Sequence, residues 1–201
     1  MQALAPGYRL IVVGVSAGGL AALRTLVGSL PAGFSIPVVV VQHRSRDSEL
    51  LCELLQECSP LEVGEVNDKE EIAPGRVYVA PPDYHLLVEQ GYFVLSTDEP
   101  VRYSRPSIDV TFVSAADAYA PDVIGVVLTG ANADGSRGLR RIVDKGGYAF
   151  VQDPATAEVR AMPQFAAKAV PEACVLPLEE IPRRLAAIQG RFVPPCGTVA
   201  R

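Results

Sequence analysis

Three residues whose chemistry suits acyl transfer each stand just after an apolar run. Ser16 lies in Gly14-Val15-Ser16-Ala17-Gly18-Gly19, between Leu10-Ile11-Val12-Val13 and a segment with Leu20, Leu23, Leu26, Val27 and Leu30 at helical spacing. That pattern reads as strand, tight turn, helix, with the hydroxyl facing a crevice beside the unpaired N–H groups of the helix start. The turn alone leaves three readings open: a nucleophile, a glycine-rich phosphate cradle, or a serine that caps the helix. It fits G-x-S-x-G, the strained elbow that exposes a nucleophilic serine. It fails G-x-G-x-x-G, because Ser16 stands where the second glycine belongs, and it lacks the Gly-Lys-Ser/Thr of a Walker A loop.

A serine nucleophile needs a base, and imidazole titrates near neutral pH. The chain has two histidines. His43 ends the run Val38–Val41 and enters the same crevice if its strand neighbours the first. His85 starts a hairpin and is the weaker base, although it could line the site. The orienting carboxylate is best placed at Asp134, within Leu128-Thr129-Gly130-Ala131-Asn132-Ala133-Asp134-Gly135-Ser136, at a strand end in a glycine-bearing loop. Asp83, Asp109 and Asp153 are the alternatives. Asp109 also suits the first turn of a helix, where its charge complements the dipole. The order Ser, His, Asp differs from the Ser, Asp/Glu, His order of α/β-hydrolases. Arg44, Arg46, Arg105 and Arg137 fall near the crevice and could grip an acidic partner or simply be solvated.

The elements that must position these residues follow from periodicity. Strands are expected at 9–13, 36–41, 61–65, 77–80, 123–128, 148–151 and 174–176, and helices at 18–29, 47–58, 107–119, 136–145, 163–169 and 178–189. The strand runs show little alternation, as expected when both faces are covered. The fold class is therefore α/β: a doubly wound, mainly parallel sheet with helices on both faces. Leu86-Leu87-Val88 and Tyr92-Phe93-Val94-Leu95 around Glu89-Gln90-Gly91 predict an antiparallel hairpin inserted into it. Asp47, Ser107 and Ser136 stand where N-caps belong. Residues 96–106 read as a polar surface loop. Residues 1–8 are a lead, 9–189 one domain, and 190–201 a tail without periodicity.

With 201 residues and a formal net charge of -5, the chain holds one full core and is a poor nucleic-acid binder. It shows no signal-peptide pattern and no apolar run of the about 20 residues that span a bilayer. A cytoplasmic protein without membrane insertion is expected. The four cysteines form no C-x-x-C, so reduced thiols are expected, with no metal and no cofactor. The sequence says nothing of oligomeric state.

Six motifs in order resemble the catalytic domain of CheB-type protein-glutamate methylesterases: Gly14 to Gly19; Val41-Gln42-His43; Val79-Ala80-Pro81-Pro82-Asp83-Tyr84-His85; Arg105-Pro106-Ser107-Ile108-Asp109; Leu128-Thr129-Gly130 with Asp134-Gly135; and Gln152-Asp153-Pro154 with Met162-Pro163. The resemblance runs from about residue 9 to residue 188. It implies hydrolysis of glutamate methyl esters on the cytoplasmic helices of methylated chemoreceptors, with glutamine deamidation as a related activity. It also implies Ser16 as nucleophile, His43 as general base and acid, Asp134 as orienting carboxylate, and backbone N–H groups at Ala17 and Ala131 as the oxyanion hole. His85 and Arg105 would line the site. Ala131 and Asn132 depart from the family's methionine and glycine, and Pro82 from its glycine. With the first strand starting at residue 9, a catalytic domain without the family's receiver domain is expected, and so no phosphorylation control in cis. A docking module without turnover and an esterase of other substrates are the competing functions.

Overall fold

The computed structural model of the chain describes residues 9–43 and 50–189. The main sheet has seven strands, all paired in parallel: β1 (Leu10–Val15), β2 (Val38–Gln42), β3 (Glu62–Glu65), β4 (Arg76–Val79), β7 (Val123–Val127), β8 (Tyr148–Gln152) and β9 (Cys174–Leu176). Their order is β3-β4-β2-β1-β7-β8-β9, so the winding reverses between β1 and β7. This is the doubly wound arrangement the rhythm predicts. Its ligand crevice lies beyond the carboxyl ends of the strands at the reversal.

Alternation along each strand assigns the two faces. Ile11, Val13 and Val15 of β1 pack beneath α1 (Gly19–Gly28), α2 (Leu51–Gln56) and α6 (Glu180–Ile188), in one cluster with Leu23, Leu26, Leu55, Ile181 and Leu185. Leu10 and Val12 point the other way, toward α3 (Ile108–Tyr119), α4 (Ser136–Asp144) and α5 (Ala161–Ala169), in a cluster with Phe112, Leu139 and Met162. Every residue of β1 is buried, which is why its sequence shows no polar alternation. Gly14 faces the α3 side, where a Cβ would collide with Ile108, so glycine lets the start of α3 lie directly on β1.

The hairpin forms, but it is not part of the main sheet. β5 (His85–Glu89) and β6 (Tyr92–Ser96) make a separate two-stranded sheet that packs on α3. Thr111 Oγ1 donates to Leu86 O at 2.7 Å, and Val88 N donates to Ser114 Oγ at 2.9 Å. Helix α3 thus takes up backbone groups that a neighbouring strand would otherwise satisfy.

Two expected N-caps resolve differently. Ser107 occupies the N-cap position of α3 without capping it through its side chain, and Gly135, at φ 91°, rather than Ser136, caps α4. Asp47 lies outside the described residues. Cys52 and Cys58 form no disulfide, whereas Cys174 is disulfide-bonded, which corrects the expectation of reduced cysteines at that position. Among the described residues no helix is long and apolar enough to cross a membrane, and no His/Cys/Asp/Glu cluster could hold a metal ion.

Candidate active site

The site assembles from the loops that leave β1, β2 and β7. Ser16 follows β1 directly. Its N–H donates to Thr129 O at 3.0 Å, and Gly19 N donates to Ser16 O at 2.9 Å. Gly18 supplies the N-cap of α1 at φ 75°, a conformation that favours glycine, and no side chain caps this helix. The hydroxyl of Ser16 is therefore not committed to the helix start, which removes the capping reading. Two buried groups brace the turn from β7 and β8. Thr129 Oγ1 donates to Ala17 O at 2.9 Å and accepts from Val159 N at 2.9 Å. Gln152 Oε1 accepts from Thr129 N at 2.9 Å while its amide donates to Thr156 O at 3.0 Å.

His43 reaches the same crevice because β2 runs parallel to β1, with Gln42 opposite Val15. Its N–H donates to Val15 O at 3.2 Å. Ser16, Ala17, Gly18, Gln42, His43 and Glu158 line an open cleft of about 630 Å³. The imidazole is bound from the far side by Asp134: His43 Nε2 donates to Asp134 Oδ2 at 2.8 Å, with the carboxylate 1% exposed. That contact commits Nε2 to carrying the proton and leaves Nδ1 as the basic nitrogen. Nδ1 lies 3.5 Å from Asn132 Nδ2. Among the described residues Ser16 Oγ forms no hydrogen bond, and the side-chain partners of His43 are Asp134 and Asn132. Catalytic hydrogen bonds are often long in unliganded sites.

Asp134 is the most heavily bonded side chain of the site. Besides His43, Oδ2 accepts from Ile108 N at 2.7 Å. Oδ1 accepts from Ser107 Oγ, Asp109 N and Gly135 N, each at 3.0 Å. The carboxylate thus caps α3 in place of Ser107, using orphan N–H groups of the first turn. Burial opposes its charge, but the bonds from His43, Asp109 and Ile108 outweigh that and hold the carboxyl below the ordinary aspartate value. Asp109 shows the reverse balance. Burial, with Asp134 nearby, pushes its carboxyl up despite the Gly138 N–H that donates to Oδ1 at 2.7 Å. It stands in the first turn of α3, as sequence suggests, and joins that helix to the start of α4.

The remaining expected residues divide. Ala17 lines the cleft and Ala131 does not, and neither N–H donates to an acceptor among the described residues. Arg105 lines a second depression of about 440 Å³ that shares His43. His85 is 2% exposed and lines neither space. Its Nδ1 accepts from Ser107 N at 3.2 Å and its Nε2 donates to Glu99 O at 3.1 Å, so it ties α3 to the preceding loop and is not a site wall. Arg137 lies 3.8 Å from Asp109 Oδ2 and borders a groove between α3 and β5, away from Ser16. Arg44 and Arg46 lie outside the described residues. Sequence reasoning assigned no role to Gln152 or Thr129. Both stand at strand ends in the quoted motifs, the one signal that could have marked them.

Residues 11–185 match the family model described as CheB methylesterase. The chain belongs to the CheB methylesterase family. It is 48% identical over 176 residues to a relative in Leptospira interrogans, covering 87% of this chain and 91% of the relative. It is 38% identical over 188 residues to a Carboxydothermus hydrogenoformans protein named protein-glutamate methylesterase/protein-glutamine glutaminase 1, covering 90% of this chain and 55% of that one. The crystal structure of the Thermotoga maritima CheB methylesterase catalytic domain superposes with a TM-score of 0.86 at 34% identity, over 90% of this chain and 99% of that domain. Family membership agrees with the fold: the parallel seven-stranded sheet with its separate two-stranded hairpin is the architecture of the CheB catalytic domain.

Proposed function

We propose that the chain is a protein-glutamate methylesterase that works by acyl transfer through Ser16, with His43 as base and acid and Asp134 as the residue that orients it. The observation that carries this reading is the 2.8 Å His43–Asp134 bond at the edge of the cleft that holds Ser16. Asp134 fixes the proton on Nε2, so Nδ1 receives the proton of Ser16 as Oγ attacks the ester carbonyl carbon. The tetrahedral oxyanion is met by the unengaged N–H groups of Ala17 and Ala131, an interaction whose loss typically costs about 3 kcal/mol of barrier. His43 returns the proton to the departing methoxide, giving methanol and an acyl-serine. Nδ1 then takes a proton from water as the oxygen attacks the acyl carbon, and it returns that proton to Ser16 Oγ as the acyl–oxygen bond breaks, releasing the glutamic acid side chain, which ionises in water. With a glutamine side chain the same steps release ammonia.

The substrate class is a methylated chemoreceptor helix, the partner that family membership supports, and the relatives' names supply the scissile group, a glutamate methyl ester. No cofactor enters the scheme. A receptor-docking module without turnover would not need a serine, an imidazole and a buried carboxylate at one switch point. Labelling with a fluorophosphonate separates the two readings. Covalent labelling on Ser16 supports the esterase, and an unlabelled Ser16 in folded protein supports the docking module.

A further inference from the structure

The loop between β6 and α3 ends in a tight turn beside the site. Val101 N donates to Ser104 O at 3.1 Å and Ser104 N to Val101 O at 3.0 Å, an antiparallel bridge closed by Arg102 and Tyr103. Both intervening residues have positive φ, 49° and 65°. This is the geometry of a two-residue type I′ hairpin, which favours Asn-Gly because a Cβ is crowded at both central positions. Arginine and tyrosine are poor residues for it, and Tyr103 is 103% exposed, so no packing inside the molecule offsets the strain.

The loop that leads into the turn is braced. Arg105 Nη1 donates to Thr97 O at 2.9 Å and to Asp98 O at 3.0 Å, and His85 fixes Glu99 O from the core. Tyr103 and Ser104 form one wall of the depression that shares His43 with the Ser16 cleft. A strained turn that carries an exposed aromatic and an exposed cation, on a braced loop at the rim of a reactive cleft, matches where backbone strain collects for function.

We infer that the Arg102–Tyr103 turn is the docking surface for the polypeptide that carries the scissile ester. The inference rests on the methylesterase reading above. Only the end of one side chain enters the Ser16 cleft, so the rest of a protein substrate must lie on its rim. Each turnover leaves a carboxylate on the partner, so the surface it presents is acidic and is suited to a guanidinium. The tyrosine ring covers the aliphatic stems between such charges. Tyrosine and arginine are also the residue types that dominate binding energy at protein interfaces.

The test uses the full chain and the double variant R102N/Y103G, whose residues the turn geometry prefers, so the fold is retained. Methanol release is measured from a glutamate-methylated chemoreceptor fragment and from N-acetylglutamate γ-methyl ester amide. The ratio of kcat/KM for the fragment to that for the small ester is expected to fall about tenfold or more, chiefly through KM, the loss typical of one or two interface anchors. A ratio within about twofold of wild type overturns the docking inference while leaving the esterase reading intact. Wild-type protein that hydrolyses neither substrate overturns both.

Discussion

Replacing Asp134 by asparagine tests both the stability and the chemistry of the site. The carboxylate is 1% exposed and accepts five hydrogen bonds, from His43, Ile108, Ser107, Asp109 and Gly135. Asparagine must turn its NH2 group toward one of the two oxygen positions. At Oδ1 it would face two backbone N–H groups that cannot move, those of Asp109 and Gly135. At Oδ2 it faces one, Ile108 N, together with His43. The second placement is cheaper. It orphans one buried donor, at about 1–3 kcal/mol, and turns the remaining charge-assisted bonds into neutral ones. A loss of about 3–4 kcal/mol of folding stability at neutral pH follows. The amide would also force His43 Nε2 to accept, placing the proton on Nδ1, the nitrogen required to be basic. The rate should fall by about 10³-fold or more, as wrong-tautomer variants do. Urea unfolding and methanol release on the same sample measure both effects. A variant within about 0.5 kcal/mol of wild type, or one that keeps the wild-type rate, would refute this assignment of Asp134.

Other outcomes follow from the same contacts. The folded-state pKa of Asp134 lies below its unfolded value of about 3.9, so the stability it supplies is complete above that value and is lost as pH falls through the folded pKa. The stability gap between wild type and Asp134→Asn should therefore be constant from about pH 6 to 8 and shrink below about pH 4, measured by unfolding across pH. Gly14→Ala would drive a Cβ into Ile108, whose N–H donates to Asp134, so it should cost about 1–3 kcal/mol and depress turnover together. Thr129→Val removes the hydroxyl that joins Ala17 O to Val159 N and should cost about 1–3 kcal/mol, with a slower rate because the Ser16 turn loses its brace; melting and steady-state kinetics check it.

Much of the fold was legible because the parallel strands are buried on both faces. Val38–Val41 and Val123–Leu128 read as strands without any help from alternation, and β1 ran past its expected end only through Gly14 and Val15. The residues at the strand ends were legible for the same reason, since topology brings Ser16, His43 and Asp134 to one crevice. What sequence could not reveal was set by contacts between distant segments. The cap of α3 comes from Asp134, 27 positions away from Ser107, so a local capping rule named the wrong side chain. His85 has the chemistry of a site residue, but Ser107 N and Glu99 O consume both its nitrogens. The hairpin was legible as a hairpin, but its docking onto α3 depends on the side chains of Thr111 and Ser114, which a strand pattern does not show.

The most direct measurement of the central claim is methanol release from a glutamate-methylated chemoreceptor fragment by wild-type protein and by Ser16→Ala, each checked for a native unfolding transition. Steady release by wild type and none above background by the variant is the expected result. Release by folded Ser16→Ala at the wild-type rate would contradict it.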